Sequence, residues 1–335
     1  MGKKLKAAIL GFGGMGHVHA AAYAGQKDVE LVACCDIDPA QFERKNVELN
    51  FGSSGNSDAK VLKKYLCYED MVREEAGNLD FVDIALPSDL HCEYAIRAME
   101  DGFNVLCEKP MALTSRDAKK MIAASKRTGK LLMIAQCLRF NETFLAVKKV
   151  CDSGKYGKLL RLCAHRVSKQ PGGWFRDVAR SGGALMDLHL HDIDFIQFML
   201  GVPDELVCFG VPVSSGGIDD SVTTYIYRNG PVVTAEGSWA RCGWSCGMTV
   251  IFEKATLEMK GDDLFLYDHK TGKTGPLKYR KPKHNHYFNE IAAFAAGVKK
   301  GVTPPSATPE STCESIRLIE TELKSALAGG KRVKL

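Results

Sequence analysis

A glycine-rich turn near the start of the chain constrains the fold more than any other feature. The apolar run Leu5 to Leu10 predicts a short strand, and the alanine-rich stretch His17 to Ala24 predicts a helix. Between them the first glycine permits a tight turn, the second lets a pyrophosphate approach the backbone, and the last lets the helix pack on the strand. The free N–H groups at the helix N-terminus would face the phosphates. The residues predicted to bind a dinucleotide are Gly11, Phe12, Gly13, Gly14, Met15 and Gly16.

An acidic residue at the end of the next predicted strand indicates which dinucleotide. The strand Leu31 to Cys35 ends in Asp36, at the distance beyond Gly16 where a carboxylate accepts hydrogen bonds from the adenosine ribose. The same carboxylate would repel a 2′-phosphate, and no Arg or Lys follows until Arg44. The sequence therefore favours NAD over NADP. The alternative is an ordinary glycine turn with an exposed aspartate cap.

Further strands alternate with helices along the first part of the chain, which predicts a doubly wound parallel sheet. Strands are predicted at Phe81 to Leu86, Asn104 to Cys107 and Leu131 to Ala135, and helices at Pro39 to Leu49 and Ala59 to Lys64 among others. Ligands of open α/β sheets gather at the carboxyl ends of the strands. The residues that follow these ends, and that we expect to border the cofactor, are Pro87, Ser88, Glu108, Lys109 and Gln136.

Lys109 is the strongest catalytic candidate among them. It lies in the tetrapeptide Cys107-Glu108-Lys109-Pro110, where the X-Pro turn restricts the backbone beside it. A cation at this edge could touch whatever the cofactor touches. The alternative is a lysine that merely pairs with a phosphate or with a carboxylate.

The second part of the chain is richer in strands joined by Gly, Asn and Pro turns, which favours a largely antiparallel sheet. At 335 residues the chain suits two domains. The fold class predicted is α/β, with a doubly wound parallel sheet in residues 1–125 and an α+β domain with a large open, mostly antiparallel sheet in residues 126–335. One face of that open sheet could close over the cofactor, and the other could pair with another subunit.

A helix predicted from Gly183 to Leu200 carries the second chemical cluster. Asp187 and His191 are four residues apart and would share one helix face. Imidazole is a natural acceptor for a hydroxyl proton, and a neighbouring carboxylate can orient it. His189 falls on another side of the helix, where packing is the expected role. An ordinary surface Asp/His pair and an Asp187/His189/His191 metal cluster are the alternatives, but no further metal ligand is evident, and we predict no metal.

Composition limits the remaining possibilities. No apolar segment is long enough to span a membrane, no signal peptide precedes the first strand, and the twelve cysteines contain no CxxC pair, so we expect a cytoplasmic protein with reduced thiols. The net charge of +5 is spread thinly, which does not indicate nucleic-acid binding.

Together these motifs resemble the glucose-fructose oxidoreductase/inositol dehydrogenase family, Gfo/Idh/MocA. The resemblance rests on the glycine turn, Asp36, Glu108-Lys109-Pro110, the run Ser181 to Asp194, Trp174 to Asp177, and the closing pattern from Tyr287 to Pro305. It implies an N-terminal Rossmann domain that binds NAD, a dimer or tetramer built on the C-terminal sheet, and a small-molecule sugar, polyol or cyclitol substrate. It also implies that Lys109, Asp187 and His191 form the catalytic group.

The function expected from this resemblance is hydride transfer between a secondary alcohol and NAD. His191 would accept the hydroxyl proton, Asp187 would orient it, and Lys109 would stabilise the oxygen. The residues expected to contact the substrate are Lys109, Arg166, Lys169, Trp174, Arg176, Asp187, His191 and His286. For the loop Arg and Trp residues the alternative is bracing of the domain interface, and for His286 it is solvation.

Three alternatives stay open from the sequence. One is a redox-neutral cycle in which NAD oxidises a sugar temporarily so that a glycosidic bond can break. Another is a non-catalytic NAD-binding regulator, which would not need Lys109, Asp187 and His191 together, and the third is a reductase of the biliverdin or imine type. His189 stands where many family members have a small residue, so the pocket could hold an extra polar contact.

Overall fold

The structure of the protein is a computed structural model that describes residues 3–44 and 63–335, together with the backbone of 47–48 and 54–55. It divides into two compact units. The first unit comprises Met1–Cys137 and His284–Glu314, and the second comprises Leu138–Lys283 and Ser315–Leu335.

The elements are numbered here in chain order. The strands are β1 (Leu5–Leu10), β2 (Val29–Cys35), β3 (Val47–Glu48), β4 (Ser54–Gly55), β5 (Lys63–Tyr65), β6 (Phe81–Ile84), β7 (Asn104–Glu108), β8 (Leu132–Ala135), β9 (Leu159–Lys169), β10 (Glu205–Pro212), β11 (Ile218–Ile226), β12 (Val232–Ser238), β13 (Ala240–Phe252), β14 (Ala255–Lys260), β15 (Asp263–Asp268), β16 (Thr274–Pro276) and β17 (Val333–Lys334). The α-helices are α1 (Gly14–Tyr23), α2 (Tyr68–Glu75), α3 (His91–Glu100), α4 (Ser115–Thr128), α5 (Glu142–Asp152), α6 (Val178–Ser181), α7 (Leu190–Leu200), α8 (His286–Lys300) and α9 (Pro309–Leu327).

The first unit is built on a parallel sheet with strand order β5-β2-β1-β6-β7-β8. Its central strands are largely apolar because helices cover both faces of such a sheet, and β6 and β8 are buried along their whole length, including Asp83 of β6. Helix α4 shows how local signals set the connections. The Thr114 hydroxyl accepts the Asp117 N–H at its start, and Gly129 ends it in the left-handed region. The predicted α/β fold class is confirmed.

The domain boundary differs from the one predicted at residue 125. That position lies inside α4, and the chain continues into β8, which pairs with β7 and so completes the parallel sheet. The sequence also returns to this unit late. In α8, Phe294 packs edge-to-face on Phe81 of β6, with ring centroids 5.2 Å apart. A cut by sequence position alone could not assign this distant segment to the first unit.

The two helices predicted between β2 and α2 differ from the structure in the residues that it describes. Residues Pro39–Glu43 form a 3₁₀ helix, and Val47–Glu48 pair with Ser54–Gly55 as strands, so the helix predicted from Pro39 to Leu49 is wrong. Most of the helix predicted at Ala59 to Lys64 lies outside the described residues, and its end, from Lys63, belongs to β5.

The second unit contains a nine-stranded sheet in the order β16-β15-β14-β13-β9-β12-β11-β10-β17. Neighbouring strands are antiparallel except for β9 and β12, so the prediction of a mostly antiparallel sheet is confirmed. The helix predicted from Gly183 to Leu200 is divided. Gly182 and Gly183 have positive φ angles of 75° and 74°, which stops α6, and a π-helical turn over Leu185–His189 precedes α7.

Within the described residues, none of the helices is both long enough and apolar enough to cross a membrane.

Candidate active site

The glycine turn between β1 and α1 has the geometry that its spacing predicts. Gly11 has a φ of 92°, and a Cβ there would lie 2.6 Å from the Ala85 carbonyl oxygen. A Cβ at Gly16 would overlap the carbonyl oxygen of Gly11, so the start of α1 needs glycine to pack on the turn. In contrast, no atom lies within 4 Å of a Cβ placed on Gly13. Gly13 is also the N-cap of α1, so open space meets the end of the helix where a phosphate would bind.

Asp36 lies beside this turn. Its Oδ2 accepts the backbone N–H of Phe12 at 2.7 Å, and its Oδ1 accepts the N–H of Asp38 at 2.9 Å. The carboxylate is therefore tied to the glycine turn on one side, while its half-buried position leaves it accessible. Each carboxylate oxygen has a second lone pair, which a ribose hydroxyl could use.

The ends of three neighbouring strands supply the other residues predicted to contact the cofactor. Strands β1, β6, β7 and β8 are adjacent and parallel, so Pro87, Ser88, Glu108 and Gln136 lie at the same sheet edge as the glycine turn. Gln136 is buried, and its Nε2 has no hydrogen-bond partner in the structure. A buried amide left unpaired costs stability, so this group fits a site completed by a ligand. These residues fit NAD.

Lys109 follows β7 at this edge, half-buried, and its peptide bond to Pro110 is cis. The backbone N–H of Lys109 donates to Glu108 Oε2 at 2.9 Å. On the other side of the turn, His91 Nδ1 lies 2.7 Å from the Pro110 carbonyl oxygen and Nε2 lies 2.8 Å from that of Leu86. Burial lowers the pKa of His91. Sequence reasoning missed this histidine, although its place directly after the Pro87-Ser88 turn was a usable signal.

A buried cluster that sequence reasoning also missed lies behind Glu108. His19 of α1 is fully buried, with Nδ1 at 2.9 Å from Asp83 Oδ2 and Nε2 at 2.9 Å from Glu108 Oε1. Tyr23 donates to Asp83 at 2.8 Å, and Glu290 of α8 approaches His19 Nε2 at 3.9 Å. Asp83 and Glu108 raise the pKa of His19 well above its ordinary value, overcoming the opposing effect of burial.

The same cluster resembles a set of metal ligands in its spacing. One ligand atom from each of His19, Glu108 and Glu290 lies within 4.8 Å of the others. However, both imidazole nitrogens already lie at hydrogen-bond distance from carboxylate oxygens. We therefore interpret the cluster as a hydrogen-bonded charge network and assign no metal to it.

The second unit places the other two predicted catalytic residues close together in the chain but on different kinds of helix. Asp187 is buried within the π-helical turn, and His191 is half-buried in the first turn of α7. The i, i+4 argument assumed one regular helix, which the π-turn replaces. Single π-helical turns occur frequently at functional sites.

Helix α7 also carries two buried carboxylates with structural partners. Arg166 of β9 donates from Nε and Nη2 to Asp192 at 2.8 and 3.0 Å. Arg139 makes the same bidentate contact to Asp194, at 2.8 and 2.7 Å. These two bidentate Arg–Asp pairs fix the position of α7 within the second unit. A substrate contact by Arg166 would have to use its remaining donors, and it stays a prediction.

The remaining residues predicted to bind the substrate are divided between the units. Lys169 and Arg176 are exposed in the second unit, and Trp174 stacks on Phe175 with ring centroids 3.9 Å apart. Phe175 in turn packs against the apolar cluster of Ala184, Leu188 and Trp239, which leads directly into the π-turn. His286 belongs to the first unit, where it begins α8. Their contacts with substrate stay predictions.

His189 has the packing role expected for it. It is fully buried, and its Nε2 lies 3.2 Å from the Tyr225 hydroxyl, which donates to Glu322. A Cβ at Gly237 of β12 would lie 2.7 Å from the His189 Cβ. The side chain thus fills a space that glycine leaves on the sheet. Its buried Nδ1 has no hydrogen-bond partner, and an extra polar contact to substrate stays a prediction.

The glycine turn, the aspartate that follows β2 and the strand-end residues define the first unit as the nucleotide-binding domain of an oxidoreductase. The model of the GFO/IDH/MocA oxidoreductase family with an NAD-binding Rossmann fold matches residues 5–136, and the C-terminal domain model of that family matches residues 144–258. The chain belongs to the Gfo/Idh/MocA family, which confirms the resemblance and makes NAD the cofactor.

Three individual proteins illustrate what the chain is similar to. It is 26% identical over 314 residues to an inositol 2-dehydrogenase of Rhizobium meliloti, covering 88% of each chain. Over 145 residues it is 33% identical to a 2,7-anhydro-N-acetylneuraminate hydratase of Mediterraneibacter gnavus, covering 42% of this chain and 38% of that protein. Its fold matches that of levoglucosan dehydrogenase, solved with NADH and levoglucosan, with a TM-score of 0.84 at 18% identity, covering 99% of both chains.

Proposed function

We propose that the protein is an NAD-dependent dehydrogenase that oxidises a secondary alcohol of a sugar, polyol or cyclitol. The observation that carries this proposal is the set of residues at the carboxyl ends of the parallel strands in the first unit. There an open glycine turn, the Asp36 carboxylate and Lys109 follow strands of one parallel sheet. The sugar and polyol class is supported by the inositol 2-dehydrogenase relative.

In the proposed reaction, three side chains act on one substrate hydroxyl. NAD, when bound, supplies the hydride acceptor. His191 accepts the hydroxyl proton as a general base, and Asp187 orients the imidazole and stabilises its charged form. Lys109 hydrogen-bonds the same oxygen and stabilises the negative charge that develops on it. Asp187 and His191 flank one helical turn of the second unit, and Lys109 is held at its strand end by Glu108.

The substrate also needs a polar pocket. We propose that Arg166, Lys169, Trp174, Arg176 and His286 contribute to it, in addition to the three catalytic residues. Trp174, stacked on Phe175, offers a rigid aromatic face of the kind that packs against a sugar ring. The exposed cations offer hydrogen-bond donors to hydroxyl groups.

A redox-neutral reaction is the second candidate. The relative that is a 2,7-anhydro-N-acetylneuraminate hydratase favours it. In that case the same His191 and Lys109 would first assist oxidation of a sugar carbon and later its reduction, with elimination between the two steps. The two candidates differ in whether reduced cofactor accumulates.

We also propose that the enzyme is a homo-dimer or homo-tetramer in the cytoplasm, built through its nine-stranded sheet. Phe209 and Val222 are cross-strand partners, so they share one face, and they are 57% and 47% exposed. Val211 and Val232 fall on that face by alternation and are also exposed. An apolar patch of this kind marks an interaction surface. The twelve cysteines stand as thiols, as a reducing compartment requires.

A substrate screen tests the proposal. The purified protein is offered inositols, aldoses, amino sugars and glycosides with NAD and, in parallel, with NADP, while NADH absorbance is followed and products are analysed. A dehydrogenase accumulates NADH in proportion to oxidised product. Product without net NADH would support the redox-neutral candidate, and an inert protein that still binds NAD would contradict both.

A further inference from the structure

We propose that His19 is a positioning residue for Lys109, acting through the carboxylate of Glu108. This inference rests on the proposed function, in which Lys109 contacts the reacting oxygen. It concerns a residue three positions after the glycine turn, buried beneath it in α1.

Glu108 connects the two residues directly. Its Oε1 lies 2.9 Å from His19 Nε2, while its Oε2 accepts the backbone N–H of Lys109 at 2.9 Å. The two oxygens of one carboxylate therefore bond to the imidazole on one side and to the lysine's own backbone on the other. A displacement of the imidazole would rotate this carboxylate and with it the first peptide of the turn that carries Lys109.

His19 is itself held from the opposite side. Both oxygens of Asp83 lie within 3.0 Å of its Nδ1, and the Tyr23 hydroxyl donates to the same carboxylate. Glu290, whose carboxyl oxygens have no hydrogen-bond partner, lies near the ring as well, and so does the ring of Tyr287, with centroids 5.9 Å apart. Burial raises the pKa of Glu290 well above its ordinary value, which favours a neutral carboxyl. The ring thus lies between two carboxylates with little freedom to turn.

Burying these ionisable groups costs free energy of folding, and a need for their specific arrangement would explain why they are buried. His19, Asp83, Glu108 and Glu290 are all almost completely inaccessible to solvent. Buried charge networks contribute weakly to stability compared with apolar packing of the same volume, and their best-supported use is to fix one arrangement. The arrangement that this network fixes is the position of Glu108 next to Lys109.

The test compares two amides at position 19, each of which keeps one of the two bonds. In His19→Gln the amide nitrogen can replace Nε2 and still reach Glu108, whereas in His19→Asn it can replace Nδ1 and reach only Asp83. A general packing role would make both variants equally defective. Our proposal expects His19→Asn to lower kcat by about 10²-fold, as an error of ~1 Å in placement does. His19→Gln should recover most of that loss, and both variants should bind NAD within about twofold of the wild type.

A double substitution tests whether His19 affects activity through Lys109. If His19 acts through Lys109, then His19→Asn should cost little further activity in a Lys109→Ala background, because the group that it positions is gone. A full additional loss in that background would overturn the proposal. If the position-19 variants do not fold, Asp83→Asn tests the same network from its far side and should lower kcat in the same direction with Lys109 present.

A readout independent of activity separates this inference from the proposed function. The Lys109 side-chain resonance in ¹³C-labelled protein, assigned by its absence in Lys109→Arg, should shift in His19→Asn and return towards its wild-type position in His19→Gln. An unchanged resonance in His19→Asn would overturn the positioning role whether or not a substrate has been found. Stoichiometric zinc in the purified protein that is lost in both position-19 variants would overturn it as well, in favour of a metal centre.

Discussion

A Cβ atom on Gly16 would overlap the backbone carbonyl oxygen of Gly11, although the two residues belong to different ends of the same turn. The contact involves backbone, which cannot rotate away as a flexible side chain can. Gly13, between them, faces open space instead. The three glycines therefore have separable roles. Gly11 and Gly16 are needed for the fold, whereas Gly13 leaves room for a ligand.

We expect Gly16→Ala to lower both thermal stability and NAD affinity, whereas Gly13→Ala should fold normally and lose affinity alone. The added methyl of Gly13→Ala would occupy space that a pyrophosphate needs, and we expect a rise in the NAD Kd of at least about tenfold, or ~1.4 kcal/mol. Calorimetry and fluorescence titration give the two quantities. Gly275→Ala in the second unit, where a Cβ also meets nothing within 4 Å, is the matched control. Equal stability losses for Gly13→Ala and Gly16→Ala would contradict the division of roles.

Asp36 should set the preference for NAD. Replacing it by Asn keeps an oxygen that can accept the Phe12 N–H but removes the charge that would repel a 2′-phosphate. We expect the ratio of kcat/KM for NADP to that for NAD to rise about tenfold or more in Asp36→Asn. Asp38→Asn, two residues later and exposed, is the control that should leave the ratio unchanged. A wild-type enzyme that prefers NADP would refute our interpretation of Asp36.

His191 should be needed for turnover and not for cofactor binding. Loss of a general base typically costs about 10²- to 10⁴-fold in rate, so His191→Ala should reduce kcat by that order while the NAD Kd stays within about twofold. His269→Ala, an exposed histidine elsewhere in the second unit, serves as the comparison. Full activity of His191→Ala on the best substrate of the screen would remove His191 from the mechanism.

The packing of His189 against Gly237 predicts a coupled pair of substitutions. A methyl on Gly237 would lie 2.7 Å from both the Cβ and the Nδ1 of His189, so Gly237→Ala should destabilise the unit by about 1–3 kcal/mol. In a His189→Ala background the same change should cost much less, because the space is then available. Urea unfolding of the four proteins completes the cycle. Additive losses would show that the steric account is wrong.

Glu290 should make stability fall as pH rises. Burial raises its folded pKa well above the ordinary 4.5, so between pH 4.5 and the folded pKa the native protein keeps a proton that the unfolded chain has released. Each pH unit in that window costs up to ~1.4 kcal/mol from this group. Glu290→Gln is a neutral isostere without this titration. Its stability relative to wild type, from denaturant unfolding at pH 5, 6 and 7, should therefore increase with pH, and a constant difference would contradict the raised pKa.

The sequence predicted what short-range signals encode. The β1 strand and the glycines after it each combine a local pattern with one physical requirement, and both formed as expected. The His19 network could not be predicted in this way, because its partners are 64, 89 and 271 residues away in the chain. The π-turn at Asp187 was missed for a different reason: one regular 3.6-residue period was assumed from Gly183 to Leu200, whereas Leu185–His189 form a π-helical turn.

The late return of residues 284–314 to the first unit has a consequence for how the protein is made. Phe294 and Glu290 belong to the core around Phe81 and His19, yet the ribosome adds them after nearly all of the second unit. The nucleotide-binding domain therefore cannot complete its core until residues 284–314 have been synthesised. A fragment that ends at Cys137 would carry every residue of the glycine turn and still lack part of its own core.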